Sequence, residues 1–185
     1  MTKSQRTLVL FFIIGTLPVI GSYALYSWWK PSSQTNHGEL LNMQSAGLQK
    51  LLPEGDTLEK TLGEVVQKKW VFLTVQSANC DDRCKQKLYL MRQIRIAQNQ
   101  NMERVERVWV ITGAGEPDPE LLKFHRGLHV ARVTDIAKLP ELPLDPDFGA
   151  YIFIIDPLGN LVLRYDDQST PKGILKDLGR LLRFS

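Results

Sequence analysis

The sequence predicts an α/β domain, a central mixed sheet flanked by helices, preceded by one N-terminal transmembrane helix. Three observations support this prediction. Residues 8–29 are apolar and long enough for a bilayer core that needs about 20 residues. A cysteine pair stands between an apolar strand and a helix within residues 71–98. A hairpin pattern over residues 151–165 is followed by an amphipathic helix.

The composition limits the kind of protein this can be. The chain has 185 residues, 43% of them hydrophobic, which is enough for one domain with a core and an appendage. Its net charge is +3, and Lys3 and Arg6 supply two of these charges ahead of any acidic residue. The rest of the chain is therefore nearly neutral, and no basic run carries interleaved aromatics. We expect no nucleic-acid partner.

The apolar stretch, residues 8–29, is interpreted as a transmembrane anchor. Lys3 and Arg6 precede it and mark its cytoplasmic end, and aromatic residues close its far end as an interfacial belt. The alternative is a cleaved signal peptide, because Ser22-Tyr23-Ala24 is a small-x-small triplet. The anchor is favoured because the apolar run continues beyond that triplet to Trp29.

The anchor divides the rest of the chain. Residues 1–7 become a cytoplasmic tail, residues 30–36 a Pro/Ser-rich linker, and residues 37–185 a folded domain outside the cytoplasm. In an oxidising compartment, a close cysteine pair can cycle between dithiol and disulfide.

The first part of the domain carries weaker signals. Residues 37–41 are interpreted as a short edge strand. Asp56 or Thr57 is expected to cap a helix that ends at Lys69. Residues 70–75 are almost continuously apolar, as a buried strand should be.

Both cysteines, Cys80 and Cys84, are expected in the first turns of the helix that follows this strand. Asn79 is the expected N-cap, and the helix runs to about Gln98. The i, i+4 spacing puts the two sulfurs on one face, where they can bond or share a ligand. The helix N-terminus favours a thiolate, although the acidic pair at residues 81–82 opposes this effect and nearby cations partly offset it.

The next elements complete a βαβ unit. Residues 105–112 form a strand, and strand, helix, strand at this length predicts parallel strands with a right-handed crossover. Asp118 caps a further helix that has Pro119 at its first position, and residues 129–133 form a short strand.

The last third contains an extended loop, a hairpin and a helix. Three prolines extend residues 140–146. Residues 151–155 and 161–165 are the hairpin strands, and Pro171 opens a helix with one apolar face. The resulting order of elements is that of a thioredoxin-like fold.

The chain departs from the generic version of that fold. Generic members have Trp-Cys-x-x-Cys and a proline before the third core strand. Here three residues separate the cysteines, and residues 149–151 stand where that proline is expected. These departures disfavour a general periplasmic thiol oxidoreductase.

These features resemble the Sco/SenC family, membrane-anchored thioredoxin-fold proteins that help to assemble the copper centre of cytochrome c oxidase. The resemblance covers the anchor, the strand before Cys80-x-x-x-Cys84, the strand around Trp109, and the hairpin turn at Asp156-Pro-Leu-Gly159. It implies a role in cytochrome c oxidase biogenesis. The implied location is the bacterial inner membrane, with the domain in the periplasm and an oxidase subunit or a copper chaperone as partner.

The resemblance also implies the functional residues. The family binds copper through two cysteines and a histidine, and the matching cysteines are Cys80 and Cys84. The family's Asp-His pair falls on Asp147-Phe148, so the histidine is absent. The prolines that usually follow each cysteine are replaced by Asp81 and Lys85.

Loss of the imidazole should be selective among copper ions. Two soft thiolates can hold Cu(I), whereas Cu(II) prefers additional nitrogen ligands. A substitute third ligand would come from His129, His125 or His37. The competing interpretation is that His125 and His129 stabilise a helix end, and that His37 is solvated. We therefore expect weak or absent Cu(I) binding and retained dithiol/disulfide chemistry, as a thiol reductant or a degenerate copper-handling factor.

Two alternatives compete with this interpretation. Cys80 and Cys84 could form a structural disulfide, although so short a loop constrains little of the unfolded chain. The domain could instead be a non-catalytic assembly or interaction module that has lost the metal site. Met91 and Trp109 are expected in the core rather than in a site.

Overall fold

A computed structural model of the protein describes residues 3–28, 36–51, 61–133 and 148–183. It divides into two units, Met1–Thr35 and Asn36–Ser185. The first unit contains helix α1, Lys3–Trp28. The Lys3–Ser27 part of this helix is long and apolar enough to cross a membrane. The predicted linker lies outside the described residues except for Asn36.

The second unit is built on a mixed sheet. Its described strands are β1 (Glu39–Ser45), β2 (Trp70–Ser77), β3 (Val105–Thr112), β4 (Leu128–Val133), β5 (Ile152–Ile155) and β6 (Asn160–Tyr165). Their order in the sheet is β1-β6-β5-β2-β3-β4. Strands β2, β3 and β4 are parallel, while β5, β6 and β1 pair antiparallel. The predicted mixed sheet and βαβ unit are confirmed.

Helices cover both faces of this sheet. The described α-helices of this unit are α2 (Leu62–Val65), α3 (Asp82–Ile96), α4 (Pro119–Phe124) and α5 (Pro171–Leu181). Short 3-10 segments stand at Leu48–Lys50, Asn99–Arg104 and Phe148–Ala150.

Several predicted boundaries agree closely with the structure. Strand β3 has the predicted bounds, and the hairpin strands begin within one residue of the predicted positions. Asp118 caps α4 with Pro119 at its first position, and Pro171 opens α5. These segments carry strong local signals, namely a β-branched run, a proline at the first helical position or a turn motif.

The helix before β2 begins later than predicted. Thr61 has an extended backbone and caps α2, and its hydroxyl accepts from the Glu64 N–H. The Glu64 carboxylate accepts in turn from the Thr61 N–H at 2.8 Å, which completes a capping box. A helix therefore starts at Leu62. The predicted caps Asp56 and Thr57, and the loop at residues 140–146, lie outside the described residues.

Alternating strand residues build a core on each face of the sheet. One face packs against α3 and α5 and includes Trp109 and Met91, both of them 0% exposed. The other face packs against α2 and includes Leu73 and Phe153. Met91 and Trp109 are core residues, as predicted. Both cysteines belong to the first of these clusters.

Candidate functional site

The cysteine pair lies where the chain leaves the carboxyl end of β2. Strand β2 ends at Ser77 and helix α3 begins at Asp82, so Cys80 lies in the connection and Cys84 in the first helical turn. The carboxyl ends of parallel strands are where α/β sheets usually place their sites. The fold therefore places the pair at the carboxyl edge of the parallel strands.

The N-cap of α3 is Asp81, so the expectation of Asn79 is wrong. Asp81 has an extended backbone, and its Oδ1 accepts a hydrogen bond from the Cys84 N–H at 2.8 Å. A carboxylate at this position satisfies an otherwise unpaired amide of the first turn. As a result, Cys80 stands before the helix, and Asp81 and Asp82 place two carboxyl groups beside the pair.

Cys80 and Cys84 form a disulfide, with their Cα atoms 5.2 Å apart. Cys84 is 1% exposed and Cys80 is 9% exposed. Ala78 and Leu88 belong to the same apolar cluster. The pair is therefore nearly enclosed, and Cys80 is the residue closer to solvent.

Two cations of the first turns of α3, Arg83 and Lys87, pair with one carboxylate. Lys87 is buried, and its Nζ lies 2.6 Å from Oδ1 of Asp167, which follows β6. Arg83 also donates to the Asp167 carboxylate. Burial raises the pKa of Asp167, but hydrogen bonds from Lys87 and Arg83 outweigh this, so its pKa lies below the usual value. These two cations are paired with Asp167 and offset Asp81 and Asp82 only in part.

The segment before β5 is fastened to the end of β2. Gln76 Nε2 donates to the Gly149 carbonyl at 2.5 Å, and Thr74 Oγ1 donates to the Tyr151 carbonyl at 3.3 Å. Gly149 belongs to the 3-10 segment that begins at Phe148. Phe148, which stands where the family has its histidine, therefore lies close to the carboxyl end of β2. Its neighbour Asp147 lies outside the described residues.

The structure does not bring His129 to the cysteines. His129 on β4 is level with Val108 of β3, which is level with Leu73 of β2. At about 3.3 Å per residue, Ser77 lies roughly 13 Å further along the strand, before the cysteine segment begins. His129 Nε2 lies 3.5 Å from the Glu106 carboxylate, so the ring has a partner of its own.

The other two histidines also occupy different environments. His125 is 2% exposed, and burial, followed by the charges of Arg107 and Arg92, lowers its pKa to about 4. His37 Nδ1 lies 3.1 Å from Oδ1 of Asp177. Within the described ranges no group of three or more His, Cys, Asp and Glu side chains could hold a metal. A disulfide also offers no thiolate, so the described donors do not fit a three-ligand copper site.

A buried carboxylate forms a second polar centre that the sequence analysis did not identify. Asp177 on α5 is 0% exposed, and its Oδ2 accepts from the His37 N–H at 2.6 Å, the Gly38 N–H at 3.0 Å and the Tyr165 hydroxyl at 3.2 Å. Burial, then the Asp177 charge and hydrogen bond, raise the pKa of Tyr165 far above its usual value. The available signal was an acidic residue on the apolar face of α5, three residues after Ile174.

Close packing surrounds this carboxylate. A Cβ added at Gly38 would lie 2.5 Å from a ring carbon of Tyr165, and one at Gly173 would lie 2.8 Å from the His37 Cβ. The first described residues of the domain are therefore held tightly between β6 and α5.

Comparisons with known proteins agree with this fold. A protein-family model described as "Transmembrane-like, thioredoxin-like, C-terminal domain" matches residues 70–185. A search of curated proteins finds no significant match. The family model confirms the predicted thioredoxin-like fold. The similarity to Sco proteins is seen in solved structures.

Three solved structures illustrate the likeness. Apo Sco1 from Thermus thermophilus is 18% identical with a TM-score of 0.56, over 83% of this chain and 99% of that chain. Yeast Sco1 with copper bound is 12% identical with a TM-score of 0.56, over 85% and 96%. A SCO1/SenC family lipoprotein from Bacillus anthracis is 15% identical with a TM-score of 0.55, over 78% and 98%. The predicted Sco/SenC resemblance is thus confirmed at the level of the fold, with the low identity of a divergent chain.

Proposed function

Because the chain belongs to the family of transmembrane-like, thioredoxin-like C-terminal domains, we propose that it is a membrane-anchored thiol–disulfide reductant acting through Cys80 and Cys84. The observation that carries this proposal is the closed disulfide at the carboxyl end of β2. The anchor is assigned to residues 8–29, with a cytoplasmic tail at residues 1–7 and the domain in the periplasm of a bacterial inner membrane. Lys3 and Arg6 support this orientation.

The charges around the pair favour a reductant over an oxidant. A cysteine pair whose thiolates are stabilised is a strong oxidant in its disulfide form, because the reduced form is then favoured. Here Asp81 caps the helix and Asp82 follows in the first turn, so negative charge opposes a thiolate there. The disulfide is therefore favoured over the dithiol, and the dithiol tends to give up its two electrons.

The proposed reaction is a dithiol–disulfide exchange. The Cys80 thiolate attacks one sulfur of a substrate disulfide, and the other substrate sulfur departs as a thiolate that takes up a proton. The Cys84 thiol then loses its proton and attacks the Cys80 sulfur, releasing the second substrate thiolate and closing the Cys80–Cys84 disulfide. Two electrons pass to the substrate. An external protein dithiol then reduces the Cys80–Cys84 disulfide again by the same exchange reaction. Cys80 is assigned the first attack because it is more exposed than Cys84.

The proposed substrate is a disulfide in a respiratory oxidase subunit or in a copper chaperone. The fold shared with Sco1, including yeast Sco1 with copper bound, supports a place in cytochrome c oxidase biogenesis. A role in copper handling is less well supported than disulfide reduction, since two thiolates alone would have to hold Cu(I) as cargo. The alternative is an interaction module in which the disulfide is structural.

The test is a redox titration of the full chain in a non-ionic detergent, followed by alkylation of free thiols. We expect a two-electron transition at a potential more negative than that of glutathione, without loss of fold. The Cys84→Ser variant should accumulate a mixed disulfide with a substrate peptide, and the matched Cys80→Ser variant should accumulate less. A disulfide that is reduced only on unfolding, or full oxidase assembly in cells carrying both substitutions, would favour the interaction module.

A further inference from the structure

A cleft lined by cations lies at the end of the sheet opposite the cysteines. It encloses about 430 Å³ and is lined by Arg92 and Arg95 of α3, Arg107 of β3, and Lys123 and Arg126 at the end of α4. Arg107 stands near the amino end of β3, whereas Cys80 follows the carboxyl end of β2. This basic cleft is therefore separate from the proposed redox site.

Arg107 is the unusual residue of the basic cleft. It is 2% exposed, and its Nη2 donates to the Arg126 carbonyl at 2.6 Å. Its Nε and Nη1 are buried without a hydrogen-bond partner among the described residues. Burial and the charges of Arg95 and Arg92 lower its pKa to about 10 against an opposing effect of Glu106, so it remains cationic at neutral pH. Buried donors without acceptors cost free energy unless something binds them.

The other cations are positioned by contacts that leave positive charge at the cleft. Arg95 Nε donates to the Val105 carbonyl at 2.6 Å. The Arg92 guanidinium lies 4.7 Å above the Phe124 ring. Lys123 is exposed and pairs with Glu120 at 2.6 Å, a contact that water weakens.

Acidic groups near the basic cleft have other partners. Glu106 is engaged by His129, and Glu120 by Lys123. Among the described lining residues there are five cations and no carboxylate. The surplus of positive charge calls for an anion.

We propose that the basic cleft binds the phosphate group of a small molecule or of a lipid headgroup. Nε and Nη1 of Arg107 each keep an N–H that can donate a charge-assisted hydrogen bond to a phosphate oxygen. The cleft has the size of a small-molecule site. Phe124, half-exposed at its edge, offers an apolar surface for the rest of the ligand.

The experiment is calorimetric titration of the full chain in a non-ionic detergent with inorganic pyrophosphate, against KCl at matched ionic strength. Saturable one-to-one binding is expected. The Arg126→Gln variant should bind about tenfold more weakly, since one charge-assisted hydrogen bond is lost while the backbone carbonyl that holds Arg107 stays. The control variant Lys176→Gln, exposed on α5, should bind as the parent does.

A second arm replaces pyrophosphate with dihexanoyl phosphatidylglycerol below its micellar concentration. The probe that binds more tightly identifies the source of the phosphate group. Arg107→Met should abolish binding of both probes, and if it does not fold, Arg92→Gln and Arg126→Gln carry the test. The proposal is overturned if neither probe shows saturable binding or if KCl produces the same heat. It is also overturned if Arg92→Gln and Arg126→Gln both bind as tightly as Lys176→Gln.

Discussion

Oδ2 of Asp177 lies 2.6 Å from the backbone nitrogen of His37, which is 140 residues away in the sequence. The same oxygen accepts from the Gly38 N–H and the Tyr165 hydroxyl. One buried carboxylate of the last helix therefore holds the start of the domain, where the proposed linker from the anchor arrives. Two of its donors are the backbone N–H groups of His37 and Gly38, so a side-chain substitution at His37 leaves these two hydrogen bonds in place.

Removing this carboxylate should destabilise the domain. Asp177→Ala leaves buried donors without an acceptor, and we expect a loss of roughly 3–5 kcal/mol in the free energy of unfolding. Asp177→Asn should lose less, because an amide oxygen can still accept from the backbone. Urea unfolding followed by tryptophan fluorescence measures both, with exposed Lys176→Ala as the control from the neighbouring position. An Asp177→Ala protein as stable as this control would contradict the structural role.

His125 should make the stability of the domain fall in mild acid. Its pKa in the folded protein is about 4, lowered by burial and then by Arg107 and Arg92, whereas the unfolded value is 6.5. Between these values the unfolded chain binds a proton that the folded chain does not, so stability decreases as pH falls through this window. The slope should approach about 1.4 kcal/mol per pH unit.

The measurement compares the parent with His125→Gln at a series of pH values. The variant lacks the titrating group, so the difference in unfolding free energy should shrink as pH falls from 6.5 towards 4. Above pH 7.5 the ring is neutral in both states, and the difference should be constant there. A difference that stays constant over the whole range would show that His125 does not carry the effect.

Strong local patterns explain which parts of this fold the sequence predicted. Strand β3, the hairpin of β5 and β6, and helix α5 each combine an apolar periodicity with a turn or capping residue, and the structure confirms them. The sequence predicts the wrong N-cap for α3 because Asn79, Asp81 and Asp82 are all acceptable capping residues. Only the hydrogen bond from the Cys84 N–H distinguishes among them.

The polar centres were missed because they depend on contacts between distant parts of the chain. Asp177 reaches His37, and Arg107 contacts the carbonyl of Arg126 across two elements. The sequence carries a signal for each centre. Asp177 is an acidic residue on the apolar face of α5, and Arg107 is a cation inside the apolar strand β3. The periodicity of the sequence indicates that such a residue is buried, but it does not identify the residue that pairs with it.

Neutralising Asp81 should make the cysteine pair more oxidising. Asp81→Asn keeps the cap of α3 but removes a negative charge from its first turn, so the thiolates of the reduced state gain stability. A charge near a helix terminus contributes about 0.3–1 kcal/mol, which corresponds to a potential roughly 6–21 mV less negative. Equilibration with dithiothreitol buffers and thiol alkylation measures this shift.

The matched control is Asp118→Asn, since Asp118 also caps a helix and accepts from the Glu120 N–H at 2.9 Å. It lies in the loop before α4 and should leave the potential unchanged. Equal shifts in both variants, or a shift to more negative values in Asp81→Asn, would argue against the electrostatic explanation.

Cu(I) should bind weakly to the reduced domain. Two thiolates are soft ligands for Cu(I), but no histidine among the described residues lies beside them, since His129 lies level with Leu73 and pairs with Glu106. We expect the reduced full chain to compete poorly with a chromophoric Cu(I) chelator. Cys80→Ser should abolish the residual binding, whereas His129→Ala should bind like the parent. Tight one-to-one binding that is lost in both variants would require His129 to reach the pair, and would restore copper delivery as the function of this domain.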